Sequence, residues 1–191
     1  MKAKVLAIVA ALFLAGSLTV NAQPTVYAGY SHLMYGDVSA PGFAVGGDYA
    51  FNLLSNVPLK LMAGARFNFN TATEKVLGQE VKGTYMALDI PVTAGYEFPL
   101  GLGLSLMPYM GLDALYFVSA KASGVGLTTN LLSKDEWGDG AMKPFQVGAS
   151  LGLRMLYEHF MLGVEYRPYF TDINADNKKP SFFAFNVGWA F

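Results

Sequence analysis

An alternation of large apolar residues with small or polar residues recurs along this chain, and it restricts the fold more than any other feature. In FFAFNVGWAF, at residues 182–191, every second residue from Phe183 to Phe191 is large and apolar. A period of two places alternate side chains on opposite faces of a β-strand. The pattern occurs in eight segments: 25–35, 42–52, 59–70, 85–98, 104–117, 145–157, 160–170 and 182–191. The sequence therefore predicts eight strands. The first segment carries tyrosines on both faces, so its facing stays open.

The N-terminus carries the pattern of a secretory signal peptide. Lys2 and Lys4 precede an uncharged apolar stretch from Val5 to Leu18, and small residues follow up to Ala22. The apolar stretch falls short of the roughly 20 residues that a membrane-spanning helix needs, which disfavours an uncleaved anchor. We expect cleavage after Ala22, so that residues 23–191 form a single domain.

Composition narrows the class of this exported domain. Hydrophobic residues make up 53% of the chain, yet after residue 22 no uncharged apolar run reaches the length of a spanning helix. Removing Lys2 and Lys4 leaves 11 basic and 14 acidic residues, so nucleic-acid binding is not expected. The chain has no cysteine, which excludes disulfides and thiolate metal sites. An apolar exported chain with alternating segments is typical of a membrane β-barrel, whose lipid-facing residues are diluted by lumen-facing ones.

The connections between the predicted strands differ in length. Those at 53–58, 99–103 and 158–159 are short, whereas those at 36–41, 71–82, 120–143 and 171–180 are longer and more polar. Short periplasmic turns and long extracellular loops are typical of outer-membrane barrels. Because an unpaired strand edge is not tolerated in hydrocarbon, the last strand must close against the first. We therefore predict an all-β fold, an eight-stranded antiparallel up-and-down transmembrane barrel, rather than a soluble β-sandwich or lipocalin-like barrel.

The strand count, the loop lengths and the final aromatic residue together resemble the small eight-stranded outer-membrane barrels of the OmpX and OmpA transmembrane-domain type, over residues 23–191. Four alternate residues resemble the C-terminal assembly signal of such barrels: Phe185, Val187, Trp189 and Phe191. The resemblance implies residence in the outer membrane of a Gram-negative bacterium, among lipid and lipopolysaccharide. It also implies insertion by the outer-membrane barrel assembly machinery. We expect a monomer.

Prolines interrupt three of the predicted strands, at Pro91, Pro108 and Pro168. Each proline removes a backbone donor, and a closed barrel has no free edge to accommodate it. We therefore expect β-bulges at these positions, or strand ends nearer the rim.

The predicted inward faces collect charged residues. They are Asp48, Lys60, Arg66, Asp89, Glu97, Asp113, Arg154, Glu165 and Arg167. Lone charges in a narrow lumen are costly, so we expect these residues to form a network of ion pairs. Eight strands leave a lumen just wide enough for side chains to fill, which favours a structural network. A narrow channel for ions or small apolar solutes is the alternative, because charged rings set selectivity in pores.

The residues available for catalysis are few. Of the two histidines, His32 follows Ser31, but neighbours in a strand point to opposite faces and cannot form a dyad. The His-x-Ser-Asn pattern of the lipid A deacylase barrels is absent after His32. His159 lies in a short turn. We therefore expect that the chain is not an enzyme and that it binds no cofactor. A lipid A-modifying activity is the least favoured alternative.

The loop from Lys121 to Lys143 is the most distinctive connection. It carries Leu131, Leu132 and Trp137 among charged residues, and a cluster of exposed apolar residues predicts a contact surface. The alternative is a loop that folds back over the barrel mouth. Its DEWGDG run lacks the spacing of a calcium loop, so no metal is expected. The sequence thus predicts a non-enzymatic scaffold that displays extracellular loops for surface interaction or adhesion with an unknown extracellular ligand.

Overall fold

The structure is a computed structural model. It describes residues 22–54, 56–76, 79–124, 127–138, 141–174 and 177–191. Apart from Ala22, the predicted signal peptide lies outside these ranges, and it stays a prediction. None of the helices in the described ranges has the length and apolar character to cross a membrane.

Within the described ranges the structure has ten strands and one short helix. They are β1 (Ala22–Tyr35), β2 (Val38–Leu54), β3 (Val57–Val76), β4 (Gln79–Tyr96), β5 (Phe98–Gly101), β6 (Leu104–Gly124), β7 (Leu127–Asn130), α1 (Lys134–Trp137), β8 (Phe145–Tyr157), β9 (Phe160–Pro168) and β10 (Ser181–Ala190). Antiparallel pairing joins β1–β2–β3–β4–β6–β8–β9–β10, and β10 returns to β1, which closes a ring of eight strands. The predicted all-β, up-and-down barrel is confirmed.

Successive side chains of each strand alternate between the outer surface of the barrel and the lumen, following the alternation in the sequence. On β2, for example, Phe43 is 51% exposed on the outer surface, while Ala44 is fully buried in the lumen. On β1, which the sequence left open, Tyr27, Ser31 and Leu33 face the lumen and Tyr30 faces outward. The inward residues fill the barrel and the outward residues form its apolar surface, as a membrane barrel requires.

The two rims of the barrel differ. At the short-turn rim, which carries the turns near Asn56, Leu102 and Glu158, the connections are as short as predicted. At the opposite rim, here called the loop rim, two of the four predicted long loops are wrong. Residues 36–41 contain only a two-residue turn, Gly36–Asp37, because Val38 already pairs with Tyr35. Residues 71–82 belong mostly to β3 and β4, which stay paired up to Val76 and Gln79.

The predicted bulges at proline are wrong for Pro91 and Pro108, which pair in register with Asp113 and Leu153. On its other side, the ladder between β3 and β4 is interrupted beside Pro91, between the pairs Ala63–Val92 and Arg66–Asp89. The backbone donor that Pro91 lacks is thus accommodated by a gap in the ladder between β3 and β4. Pro168 lies at the end of β9, as the alternative expectation had it.

One side of the barrel is much taller than the other. Strand β6 has 21 residues and β3 has 20, whereas β9 has 9 and β10 has 10. A membrane-spanning strand needs ~9–11 residues. The surplus at the loop rim forms a projecting sheet, defined as residues 71–76 of β3, 79–84 of β4, 120–124 of β6 and all of β7. Its exposed residues include Glu74, Glu80, Lys82 and Lys121, which suits water rather than lipid.

Candidate functional site

The lumen is the candidate site that the charges of the sequence indicate. At the short-turn rim, Lys60 Nζ lies 2.7 Å from Glu97 Oε2 and donates to Gln23 Oε1 over 3.2 Å. Ser105 Oγ donates to Glu97 Oε1 over 2.7 Å. Glu97 lies outside the strands, between β4 and β5. Burial acts to raise the pKa of Glu97, but the hydrogen bonds from Lys60 and Ser105 outweigh it and lower the pKa overall.

Deeper in the lumen, Arg154 on β8 spans the barrel to Asp48 on β2. Its Nη1 donates to Asp48 Oδ1 over 3.0 Å, and its Nη2 donates to Asp48 Oδ2. The guanidinium lies 5.8 Å from the ring centre of Tyr27 and 5.1 Å from that of Tyr109, close enough for cation–π contact. This planar, bidentate ion pair between aromatic rings links β8 to β2 across the lumen.

A second, larger network lies nearer the loop rim. Arg66 binds Glu165 through both terminal nitrogens, and Arg167 binds Asp89. Arg66 Nε is 3.6 Å from Asp89 Oδ2, so the two pairs are joined. Asn68 and Tyr169 also donate to the Asp89 carboxylate, over 2.9 and 3.2 Å.

Asp113 is the one predicted lumen charge for which the described residues show no ion pair. Its Oδ2 accepts from Ser150 Oγ over 2.9 Å, and its Oδ1 is buried without a hydrogen-bond partner in the described part of the chain. The other eight predicted lumen charges all take part in ion pairs.

These side chains leave little free space. Among Asp48, Arg66, Tyr109, Arg154 and Glu165 there remains a cavity of about 10 Å³, which is about the room that one water molecule needs. Arg167 and Asp89 are fully buried. Around these residues the described side chains therefore pack the lumen closely.

The loop rim is closed by an apolar cluster, here called the cap. Its core consists of Leu33, Ala40, Ala72, Tyr85, Ala87, Leu115, Phe117, Ala120, Met142, Tyr169, Ile173 and Phe182. Two loops enter the cap and bond to each other, because the Lys143 amide donates to the Ile173 carbonyl over 2.7 Å. The cap thus joins the loop before β8 to the loop before β10.

The predicted loop contact lies partly within this cap. Leu131 and Leu132 are half-buried and pack against its core, and the Leu131 amide donates to the Ala120 carbonyl over 2.9 Å. These two side chains therefore match the alternative expectation of a loop that folds back over the barrel mouth, rather than an exposed contact surface, because the mouth offers them apolar partners. Trp137 ends α1, and its side chain lies outside the described residues.

The outward-facing His32 has partners that the sequence reasoning missed. As predicted, Ser31 and His32 point to opposite faces of β1; Ser31 faces the lumen, where it donates to Asn68. However, Ser39 on the neighbouring strand lies 2.8 Å from His32 Nε2, and Tyr30 Oη lies 3.1 Å from His32 Nδ1. The signal was the dipeptide Gly36-Asp37, since a glycine at the start of a two-residue loop favours a tight hairpin. That hairpin sets Ser39 diagonally across from His32.

The residues of the predicted assembly signal face outward along β10, from its middle to the short-turn rim. Phe185, Val187 and Trp189 are exposed on β10, and Phe191 follows the strand. Trp189 stacks on His159 at a centroid distance of 5.1 Å. Within the described ranges, no three histidine, aspartate or glutamate side chains are grouped as metal ligands.

The comparisons with known proteins agree with this geometry. Residues 5–191 match the family of the outer membrane protein beta-barrel domain. The chain belongs to this family. A comparison with the curated proteins found no match.

Several solved outer-membrane barrels are similar to this family member. Neisserial surface protein A has a TM-score of 0.52 and 16% identity, covering 89% of this chain and 97% of that one. The outer membrane enzyme PagL has a TM-score of 0.54 and 11% identity, covering 87% and 97%. Ail, the attachment invasion locus protein of Yersinia pestis, has a TM-score of 0.49 and 16% identity, covering 90% and 100%. At these identities the likeness shows the fold alone.

Proposed function

We propose that this outer-membrane barrel is a closed scaffold whose projecting sheet serves surface interaction or adhesion. In this proposal the loop rim faces the outside of a Gram-negative cell and the short-turn rim faces the periplasm. Residues 1–22 direct export and are then removed. The barrel assembly machinery reads the outward residues of β10, and the barrel resides as a monomer among lipid and lipopolysaccharide.

The observation that carries the proposal is the height of the projecting sheet. Strands β3, β4 and β6 remain paired well beyond the length that spans a bilayer, up to Val76–Gln79 and Lys82–Ser123. A regular hydrogen-bonded sheet holds its side chains in fixed positions, which lowers the entropy cost of binding a partner. Its exposed glutamates and lysines give it a polar, mixed-charge surface that remains in water.

The alternative of a narrow channel is supported by the charge of the lumen but not by its packing. The Arg154–Asp48 pair crosses the lumen at one level, and the Arg66–Glu165 pair crosses it at another. Above both, the apolar cap closes the mouth. An ion would have to separate buried pairs and then cross an apolar layer, and both steps are unfavourable.

An adhesion assay tests the proposal directly. Gram-negative cells that express the chain are compared with cells expressing a variant in which residues 74–81 are replaced by Asn-Gly. The replacement keeps the pair Thr73–Lys82 as the base of a tight hairpin and removes the tip of the projecting sheet. We expect the full chain to increase adhesion to epithelial cell layers and the shortened variant to abolish the increase.

Two controls accompany this assay. An unboiled gel shift shows whether both proteins fold, and surface biotinylation of Lys121 shows whether the loop rim is outside. Planar-bilayer recording of the refolded chain tests the channel alternative, and we expect no conductance. Equal adhesion by both proteins would refute the role of the sheet. Discrete channel openings whose conductance changes in Arg154→Ala would establish transport instead.

A further inference from the structure

Three polar side chains form a hydrogen-bonded chain on the outer surface of β1 and β2. Ser39 Oγ lies 2.8 Å from His32 Nε2, and Tyr30 Oη lies 3.1 Å from His32 Nδ1. The Tyr30 and His32 rings meet edge to face at a centroid distance of 5.9 Å. One nitrogen of the imidazole thus faces a serine hydroxyl, and the other faces a group that fixes its orientation. This is the arrangement by which histidine activates a serine nucleophile.

The fold itself produces this arrangement. The two-residue turn at Gly36–Asp37 pairs Met34 with Ser39 and His32 with Pro41. Tyr30, His32 and Met34 share the outward face of β1, while Ser39 and Pro41 share the outward face of β2. Ser39 is therefore the diagonal neighbour of His32, within reach of a long side chain.

The surroundings of the three residues are apolar on one side and polar on the other. Across from Tyr30 lie Phe43 on β2 and Phe185 on β10, and Phe183 lies across from His32. All three phenylalanines are exposed on the outer surface. In the opposite direction the chain turns at Gly36–Asp37.

The position of the site along the strands follows from the register. Tyr30 pairs with Phe43 and Phe185, and His32 and Ser39 lie further toward the turn at Gly36–Asp37. His32 and Ser39 are therefore closer to the loop rim than to the short-turn rim. Because the outward surface of a membrane barrel contacts lipid, the ester groups of lipids in the leaflet at the loop rim are the substrates available to them.

We propose that Ser39, His32 and Tyr30 form a hydrolase site for acyl esters of lipids in the outer leaflet. Ser39 and His32 are the catalytic residues. Tyr30 is a positioning residue whose Oη accepts a hydrogen bond from Nδ1–H of His32, so that Nε2 is left free as the base. This activity goes beyond the proposed surface interaction and does not depend on it. It replaces the expectation that the chain is not an enzyme.

The reaction proceeds in two balanced steps. His32 Nε2 takes the Ser39 proton while Oγ attacks the ester carbonyl carbon, and the proton then passes to the departing alkoxide, which leaves as a free alcohol. The acyl group remains on Ser39. His32 next takes a proton from water, the hydroxide attacks the acyl carbon, and a fatty acid leaves as Ser39 regains its proton. One ester and one water become one alcohol and one acid.

The first test uses the unaltered chain, refolded in detergent micelles and shown by an unboiled gel shift to be folded. An alkyl fluorophosphonate bonds covalently to activated serines, with loss of fluoride. We expect peptide mass spectrometry to find the phosphonyl group on Ser39. Because this measurement needs no variant, it stands even if a substitution impairs folding, and a folded chain without label on Ser39 would overturn the proposal.

The second test measures turnover of p-nitrophenyl laurate in the same micelles. We expect Ser39→Ala and His32→Gln each to lower kcat/KM at least about a hundredfold, because each removes the nucleophile or its base. Ser181→Ala is the matched control, since Ser181 pairs with Met34 from the other side, on β10. Unchanged turnover in Ser39→Ala, or an equal loss in Ser181→Ala, would overturn the assignment.

Tyr30→Phe separates positioning from packing. The variant keeps the ring beside Phe43 and Phe185 but removes the hydroxyl group that orients His32. We expect kcat to fall about tenfold with KM unchanged, since only the orientation of the base is lost. An unchanged kcat would remove Tyr30 from the site.

The source of the ester is distinguished with two probes. Vesicles of dioleoylphosphatidylcholine and dispersions of purified lipopolysaccharide are each incubated with the refolded chain, and the released fatty acids are identified by mass spectrometry. Release from the first assigns phospholipid as substrate, and release from the second assigns lipopolysaccharide. Release from neither would overturn the proposed substrate class.

Discussion

Arg154 and Asp48 lie 106 positions apart in the sequence and on opposite walls of the barrel, yet they form a bidentate ion pair across the lumen. Tyr27 and Tyr109 enclose the guanidinium, so the pair is shielded from water. Because each strand of the ring contacts only its two neighbours through the backbone, such pairs are what connects opposite walls. They give the lumen the ion-paired packing of a protein core.

Breaking this pair should be costly. Arg154→Ala leaves the Asp48 carboxylate buried without its cation, and we expect the free energy of unfolding to fall by about 3–5 kcal/mol. The double variant Asp48→Leu, Arg154→Met removes both charges at similar volume and should recover most of this loss. Urea unfolding in lipid vesicles, followed by tryptophan fluorescence, gives the comparison. A double variant as unstable as Arg154→Ala would show that packing, not the unpaired charge, causes the loss.

A close approach across one glycine should also limit substitution. A Cβ added at Gly152 would lie 2.3 Å from Cζ of the Tyr109 ring, which itself packs against Arg154. We expect Gly152→Ala to lower the free energy of unfolding by about 1–3 kcal/mol, since the ring must move.

Gly163→Ala is the matched control for this variant. Gly163 also faces the lumen, on β9, but the nearest atom to its added Cβ is the flexible Met161 Sδ, at 3.3 Å. The same urea titration should therefore show a smaller change. Equal effects would attribute the loss to glycine in general rather than to Tyr109.

Packing in the cap should hold the loop before β10 in place. Ile173 is fully buried in the cap, and its amide donates to the Lys178 carbonyl over 2.7 Å. Ile173→Ala should loosen this loop and increase the rate of tryptic cleavage after Lys178, because local opening precedes proteolysis. Phe170→Ala, an exposed position in the same loop, should leave the rate unchanged. An equal increase for both variants would contradict a packed cap.

The turn at Leu102 offers a stabilising change. Leu102 has a φ of 54° and is 97% exposed, so a branched side chain adopts a left-handed conformation without any packing in return. Leu102→Asn should raise the free energy of unfolding by about 1 kcal/mol, because asparagine tolerates this conformation and Asn-Gly suits the turn before Gly103. Leu100→Asn, on the same rim at a residue outside the turn, is the control and should give no gain in the same titration.

The sequence predicted the periodic part of this molecule well, and the physical reason is local. Whether Phe43 faces lipid and Ala44 the lumen follows from a period of two, which each strand carries by itself. The long strands β3, β4 and β6 were harder, because their polar ends at residues 71–84 and 120–124 look like loop once they leave the apolar band. Pairing with a neighbouring strand, which the alternation of one segment does not reveal, keeps them extended.

The candidate sites divide in the same way. The charged residues of the lumen could be found from facing alone, but the pairing of Arg154 with Asp48 rather than Asp113 depends on the shear of the closed ring. Ser39 was missed because its segment was read as loop, and only the register of β1 against β2 brings it to His32. Contacts within one strand can be predicted from the sequence, whereas contacts between strands require the register.

The depth of the barrel in the membrane can be measured with its own tryptophan. In a Trp137→Phe background Trp189 is the one tryptophan left after residue 22, and it faces outward near the short-turn rim, stacked on His159. Aromatic residues at this level lie at the lipid head groups. Lipids brominated near the ester end of the acyl chain should therefore quench its fluorescence more than lipids brominated near the methyl end.

Moving the tryptophan with Trp189→Phe and Phe185→Trp should reverse this order, because Phe185 lies four residues further along β10 toward the bilayer centre. The same order of quenching at both positions would mean that the apolar outer face of β10 is not embedded at the depth that its register implies.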